Sequence, residues 1–265
     1  MVIDVHTHIF PEHIAEKATN NIGNYYQIPI QFNGTVNQLL DNMQQYHIDK
    51  CVVNSVATNP HQVQTINQFV AEQVKNYPNQ LIGFGSLHPD SENLEQDFQQ
   101  LRELKLKGIK LHPDFQGRAI DDPKVMKIYE MAEGCCPILM HMGSTDSDLS
   151  SPKRLAKILD LFPKLDIIAA HFGGWSHWED AALELALKRV YVDSSSTQYA
   201  VKPHQIRELI DIFGIHHVIF GSDYPIFNAG DELKRFENIP MTEEEKECIF
   251  HGNIERLLLK YKTNS

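Results

Sequence analysis

Short runs of β-branched and apolar residues recur along the chain and alternate with helical patterns. After a longer first interval, these runs begin roughly every 24 to 31 residues. The eight predicted strands are Val2–Val5, Lys50–Val56, Leu81–Leu87, Gly108–Leu111, Pro137–Met140, Asp166–Ala170, Val190–Asp193 and His217–Gly221. Strand–helix alternation favours a parallel sheet, because each crossover helix returns the chain to the same edge. Eight such units in 265 residues predict an α/β fold, a closed (β/α)8 TIM barrel forming a single domain over residues 1–265.

The segments between these runs support the alternation. Thr35–His47 carries apolar residues at helical spacing, and Asp122-Pro123 and Ser151-Pro152 are typical helix starts, with proline at the first helical position. Thr242 and Glu245 have the spacing of a capping box that opens the last helix.

An open doubly wound sheet is the structural alternative. Such a sheet would normally bind a nucleotide at a glycine-rich first turn, and the first predicted strand is followed by HTHIFP instead. The one long connection, the inserted loop at about 11–34, is expected to form a lid or short extra helix near the barrel mouth.

Composition restricts the class of partner. The formal net charge of −11 argues against nucleic acid and against an anionic membrane surface, since both require clustered Lys and Arg. The N-terminal segment lacks the basic and long apolar stretches of a signal peptide, and the four cysteines lack metal-finger spacing. We therefore expect a cytoplasmic protein with reduced thiols that acts on a small molecule.

Histidine or aspartate follows six of the predicted strands. The residues are His6 and His8, His88, His112, His141, His171 and Asp223. Parallel strands of a barrel end at the same mouth, so these side chains are expected to gather there. Imidazole and carboxylate at one mouth indicate a metal-centred active site.

Four of these residues form the predicted ligand set. His6 and His8 share one face of an extended segment, so both can bind one ion, although a turn-capping role is the alternative. His141 and Asp223 complete the set, with a core histidine and a helix N-cap as their structural alternatives. Three imidazoles and one carboxylate suit zinc, and also manganese, iron or cobalt.

Other residues at the strand ends are candidates for chemistry or substrate contact. His171 precedes Gly173-Gly174 and is expected to be a ligand or a base beside a metal-activated water. Lys110, in the fourth strand, is either a plain lysine paired with an aspartate or a carboxylated bridge between two ions. Weaker candidates for substrate contact, bridging or support are His112, His88, Trp175 and Asp193.

Five motifs in order resemble those of a known family. They are HTHIFP, GIKLHP, ILMHMGS, IIAAHFGGW and VIFGSDYP. Together they are similar to the metal-dependent amidohydrolase superfamily, and most closely to the amidohydrolase-2 group that includes the relatives of aminocarboxymuconate semialdehyde decarboxylase. The resemblance implies a barrel with the metal at its C-terminal mouth, with His6, His8, His141 and Asp223 as ligands and His171 as the water-activating histidine. It also suggests a homodimer.

The expected function is metal-dependent hydrolysis of a small carbonyl compound such as an amide, ester or lactone. His171 would then shuttle the proton, and Asp223 would take part while ligating. The chain has Met142-Gly143-Ser144 where the resembling decarboxylases carry a bulky proline–tryptophan stretch, so non-oxidative decarboxylation of a conjugated acid is the alternative. A third reading is a barrel retained as a binding or regulatory protein without turnover.

Overall fold

Eight parallel strands follow one another in chain order in the computed structural model, which describes residues 1–261. They are β1 (Ile3–His8), β2 (Lys50–Asn54), β3 (Leu81–Ser86), β4 (Gly108–Leu111), β5 (Ile138–Met140), β6 (Ile167–Ala169), β7 (Tyr191–Asp193) and β8 (Val218–Ile219). The backbone amide of Val5 donates to Phe220 O (3.0 Å) and that of Asp223 to His6 O (2.9 Å), which joins β8 to β1. The predicted (β/α)8 TIM barrel is confirmed.

Helices surround the strands. They are α1 (Glu12–Tyr26), α2 (Val36–Tyr46), α3 (Val63–Asn76), α4 (Leu94–Glu103), α5 (Pro113–Gln116), α6 (Pro123–Ala132), α7 (Pro152–Leu161), α8 (Trp178–Leu185), α9 (Pro203–Phe213), α10 (Ala229–Phe236), α11 (Glu243–Glu247) and α12 (Asn253–Leu259). The side chains of Asp122 and Thr242 cap α6 and α11 as predicted, whereas Ser151 makes no side-chain cap bond. The final predicted helix is interrupted by a π-helical turn at Cys248–Gly252.

Two apolar layers hold the barrel. One lies between the strands and the helices; the other fills the barrel interior and includes Val5, Val52, Phe84, Leu139 and Ile168. This interior layer closes the barrel below the polar residues at its mouth, so the mouth is a cavity with a solid floor and not the end of a pore.

The first strand is longer than predicted. It continues from Ile3 through His8, with a register irregularity against β2 between Asp4 and Thr7. His6 and His8 therefore lie within β1 and not in the turn that follows it. A rigid strand end fixes the direction of both imidazole rings, which is what a preformed ion site needs.

The long connection after β1 contains a helix of fifteen residues, α1. Within it, Ala15 and Thr19 are the buried residues. The sequence predicts a lid or short extra helix here, and the structure places α1 beside the barrel mouth.

No helix within residues 1–261 is both long and apolar enough to cross a membrane. Over the same range the four cysteines are free, with Cys51 and Cys136 buried.

Candidate metal centre and cavity

Three donor atoms from β1 and the segment after β8 converge at the C-terminal mouth of the barrel. His8 Nε2 lies 3.2 Å from His6 Nε2, and Asp223 Oδ1 lies 3.4 Å from His6 Nε2 and 3.5 Å from His8 Nε2. A tetrahedral ion with bonds of about 2.0–2.1 Å separates its ligand atoms by roughly 3.3 Å. The triangle of donor atoms therefore has the dimensions of one face of a coordination sphere.

A buried carboxylate orients the first of these imidazoles. Asp193, at the end of β7, accepts a hydrogen bond from His6 Nδ1 (3.0 Å) and another from the backbone amide of His171 (3.0 Å). With its proton on Nδ1, His6 keeps the lone pair of Nε2 for an ion, and Nε2 faces the other two ligand atoms of the triangle. Support of a ligating histidine by a carboxylate is typical of metal sites. Sequence reasoning treated Asp193 as a weak candidate, and its position after a strand end was the only signal it gave.

A second pair of imidazole nitrogens lies beside this triangle. His171 Nδ1 lies 3.1 Å from the carbonyl of Ser195, and His141 Nε2 lies 3.0 Å from the carbonyl of Gly143. A carbonyl oxygen only accepts, so both of these nitrogens carry the ring proton. The remaining nitrogens, His141 Nδ1 and His171 Nε2, lie 3.1 Å apart with their lone pairs free. Two facing lone pairs are stable only with a cation or a proton near them, so the cluster fits a metal ion.

Electrostatics favour the protonation states that metal binding requires. Burial lowers the pKa of His8 and that of His171 to about 4, so both rings are neutral near pH 7. Although burial opposes its ionisation, the imidazoles of His6 and His8 hold the pKa of the Asp223 carboxyl well below its usual range. Neutral imidazole and ionised carboxylate are the ligating forms.

The backbone is in an uncommon conformation at two of these residues. His171 has φ of 61° and Asp223 has φ of 66°. Non-glycine residues rarely adopt this left-handed region, and such strain is concentrated at functional sites, where the surrounding structure maintains it.

Lys110 lies inside the cluster. It is fully buried in β4, and its Nζ is 2.8 Å from His6 Nε2. Burial lowers the pKa of Lys110 to about 8, although Asp223 and Asp193 oppose that shift. Lys110 thus lies against one of the predicted ligands, and its role as a plain lysine or a carboxylated bridge stays a prediction.

A cavity of about 680 Å³ opens from the donor cluster. Its inner end is lined by His8, His112, His141 and Asp223, and α1 forms one wall. His112 is stacked between Phe115 and His141, with ring centroids 3.8 Å apart on both sides. The structure thus brings His112 to the cavity, as predicted.

Tyr26 of α1 covers the inner end of this cavity. His112 Nδ1 accepts from the backbone amide of Phe115 (3.3 Å), so the proton of the ring is on Nε2, which lies 3.0 Å from the Tyr26 hydroxyl. That hydroxyl accepts from His112 and keeps its own hydrogen for a ligand. Burial raises the pKa of Tyr26 well above its usual value, so the hydroxyl remains a donor. The sequence carried no signal for Tyr26, because it lies in an insertion without a motif.

Two weaker candidates lie outside the cavity lining. Trp175 packs edge-on against Tyr26, with ring centroids 5.9 Å apart, and supports the tyrosine where it covers the cavity. His88 is buried at the end of β3, where Nδ1 accepts from the backbone amide of Asp90 (3.1 Å). Its contacts are those of a loop-stabilising residue.

The segment that follows His141 requires a glycine at position 143. Its φ is +85°, and a Cβ at this position would lie 2.4 Å from both the backbone nitrogen and the backbone oxygen of Trp175. The loops after β5 and β6 can approach this closely only with glycine here.

The fold and the cluster are those of a parallel-barrel protein with a candidate metal centre at its mouth. The amidohydrolase family model (Amidohydro_2) matches residues 3–259, and the chain belongs to this family. The family and the buried groups of histidine and aspartate together support dependence on a metal.

Solved structures with the same fold cover nearly the whole chain. An uncharacterised TIM-barrel protein from Bordetella bronchiseptica has a TM-score of 0.82 at 18% identity, covering 98% of this chain and 99% of that one. A manganese-containing 5-carboxyvanillate decarboxylase from Novosphingobium aromaticivorans gives 0.77 at 17%, covering 98% and 96%. A 2,6-dihydroxybenzoate decarboxylase from Rhizobium gives 0.71 at 16%, covering 97% and 98%.

Proposed function

We propose that this protein is a metal-dependent decarboxylase of a small aromatic or otherwise conjugated carboxylic acid with a hydroxyl group beside the carboxyl. One observation carries the proposal: the donor triangle of His6, His8 and Asp223 lies at the inner end of a largely apolar cavity whose walls include Tyr26 and Phe115. Such a cavity suits a flat acid whose oxygens face the ion. Two proteins of similar fold are named as decarboxylases of aromatic acids, which supports this choice over hydrolysis.

His6, His8 and Asp223 would hold the ion, with His141 as a fourth candidate ligand. Manganese and zinc are the first candidates, because the donor set suits both and one of the similar structures contains manganese. When bound, the ion would neutralise and orient the substrate carboxylate and its neighbouring oxygen.

His171 would move the proton. Its neutral imidazole takes the proton of the substrate hydroxyl. It then returns a proton to the carbon atom of the substrate's own ring that bears the carboxylate. The bond to the carboxylate then breaks, carbon dioxide leaves, and the electron pair of that bond returns to the ring as a phenolate, which takes a proton from solvent. The hydroxyl of Tyr26 donates to a substrate oxygen and limits how the ring can lie.

Decarboxylation and hydrolysis leave different products. We expect manganese-loaded protein to release carbon dioxide from a hydroxybenzoate within a panel of such acids, and to incorporate one deuterium from D2O at the former carboxyl position. Carbon dioxide would be followed by a coupled assay and deuterium by NMR, with metal-free protein as the control. Turnover of esters, lactones or anilides in a matched panel, without release of carbon dioxide, would contradict decarboxylation.

Hydrolysis of an amide, ester or lactone is the second candidate. The chain has Gly143 after His141 where the resembling decarboxylases carry bulky residues, and the close approach of Trp175 requires that glycine. The neutral ring of His171 could equally accept a proton from an attacking water.

Lys110 distinguishes a one-ion from a two-ion site. We expect Lys110→Gln to keep about one equivalent of metal per chain and to lose at least about tenfold in activity, since the amide keeps a donor near the cluster but removes the charge. Metal analysis of protein reconstituted with and without bicarbonate would test this. Loss of metal from Lys110→Gln, or a bicarbonate requirement in the wild type, would indicate a carboxylated lysine between two ions.

A further inference from the structure

The cavity extends well beyond the donor cluster. From the inner end it continues between α1 and α3, and its volume of about 680 Å³ is in the range of pockets that hold drug-sized ligands. A single benzene ring with its carboxyl group would fill only the inner part.

The outer part, which we call the α1–α3 groove, is apolar on both walls. Ile14, Ala18 and Ile22 line it at helical spacing along α1, opposite Ile66 and Phe69 of α3. This face of α1 is not fully buried, since Ile14 remains 41% exposed and the buried residues of the helix are Ala15 and Thr19. An apolar stripe of an amphipathic helix normally faces the core. Here it faces a channel that leads to the donor triangle.

The charges around the groove restrict its occupant. Within residues 1–261, three basic side chains line the cavity away from the donor cluster. They are His13, Lys17 and His61. Asp223 is the single acidic residue of the described lining, and it belongs to the cluster. A positively charged substituent would therefore meet Lys17 without a counter-ion, whereas a neutral apolar one would not.

We infer that the α1–α3 groove binds an extended, uncharged apolar substituent of the substrate, so that the natural substrate is an amphipathic acid whose carboxyl group reaches His8 and Asp223. This inference rests on the proposed function for the identity of the reacting group. The occupant is argued from the continuity of the groove with the cluster: one molecule spans both.

Binding of a graded series of acids tests the groove directly. The probes are 2-hydroxybenzoates with an alkyl chain of increasing length opposite the carboxyl group, titrated calorimetrically into manganese-loaded protein. Each buried methylene should tighten binding about threefold to fourfold, so the pentyl compound, with four more methylenes to bury, should bind about 80- to 250-fold more tightly than the methyl compound. A chain ending in an ammonium group should lose this gain.

Matched variants locate the effect. Ala18→Trp fills the groove and should reduce the preference for pentyl over methyl at least about tenfold, whereas Glu16→Trp, on an exposed position of the same helix outside the lining, should leave it unchanged. Ile14→Asn, at a partly exposed position, provides a second test if Ala18→Trp does not fold, and should reduce the preference in the same direction.

The outcomes separate this inference from the proposed function. Three outcomes would contradict binding of an apolar substituent in the α1–α3 groove. They are an affinity that does not depend on chain length, no binding by any member of the series, and an unchanged preference in both groove variants. Binding that rises with chain length and falls in the groove variants, but without release of carbon dioxide from any compound, would support the groove and contradict decarboxylation.

Discussion

Replacing His8 with alanine or Asp223 with asparagine should remove the metal and the activity together. Each change deletes one of three donor atoms that lie 3.2 to 3.5 Å apart, so the ion loses a direct ligand and is held more weakly. We expect bound manganese or zinc to fall at least about tenfold, in line with the strong loss of affinity that follows damage even to groups around the ligands. Elemental analysis after reconstitution and desalting would measure this.

His204→Ala is the matched control, because this histidine is exposed on α9 and belongs neither to the cavity lining nor to the donor cluster. Its metal content and activity should match those of the wild type. Wild-type metal content in both His8→Ala and Asp223→Asn, with folding verified by circular dichroism, would exclude this triangle as the metal centre.

Replacing His171 with asparagine should leave the metal and remove the activity. Asparagine can still donate toward the carbonyl of Ser195, but it cannot accept a proton at neutral pH. Activity should fall about 10²- to 10⁴-fold, the usual contribution of a general acid–base group. The measurement is kcat together with metal content on the same preparation.

His141→Ala provides the comparison. If His141 is a ligand, this variant should lose metal while His171→Asn retains it. Equal loss of metal from both variants would assign His171 to the ion as well. The facing lone pairs of His141 and His171 would then hold a second metal, and Lys110 would become the natural bridge.

Local patterns accounted for much of the fold. The alternation of short apolar runs with helical stripes predicted eight parallel strands, and the structure has eight, although β8 is reduced to Val218–Ile219. Cap signals predicted the starts of α6 and α11 correctly. These features depend on residues a few positions apart, so periodicity and side-chain hydrogen bonding to nearby backbone are enough to predict them.

The candidate site was likewise predictable only in part. Because parallel strands end at one mouth, the positions of His6, His8, His141, His171 and Asp223 at strand ends predicted that they would meet, and the structure brings them together. Their individual roles as ligand or base stay predictions. The continuation of β1 through His8 was not predicted, since the polar residues of the HTH motif interrupt the apolar pattern.

The sequence by itself determined the number and order of the strands and predicted that histidine and aspartate residues at strand ends meet at one mouth. The tertiary structure decided which atoms of those residues face one another: Asp193 lies behind His6, the free nitrogens of His141 and His171 meet, and Tyr26 comes from an insertion to cover them. The reason is physical. Strand and helix patterns are local, whereas the direction of a ring nitrogen depends on barrel closure and on hydrogen bonds between segments far apart in the chain.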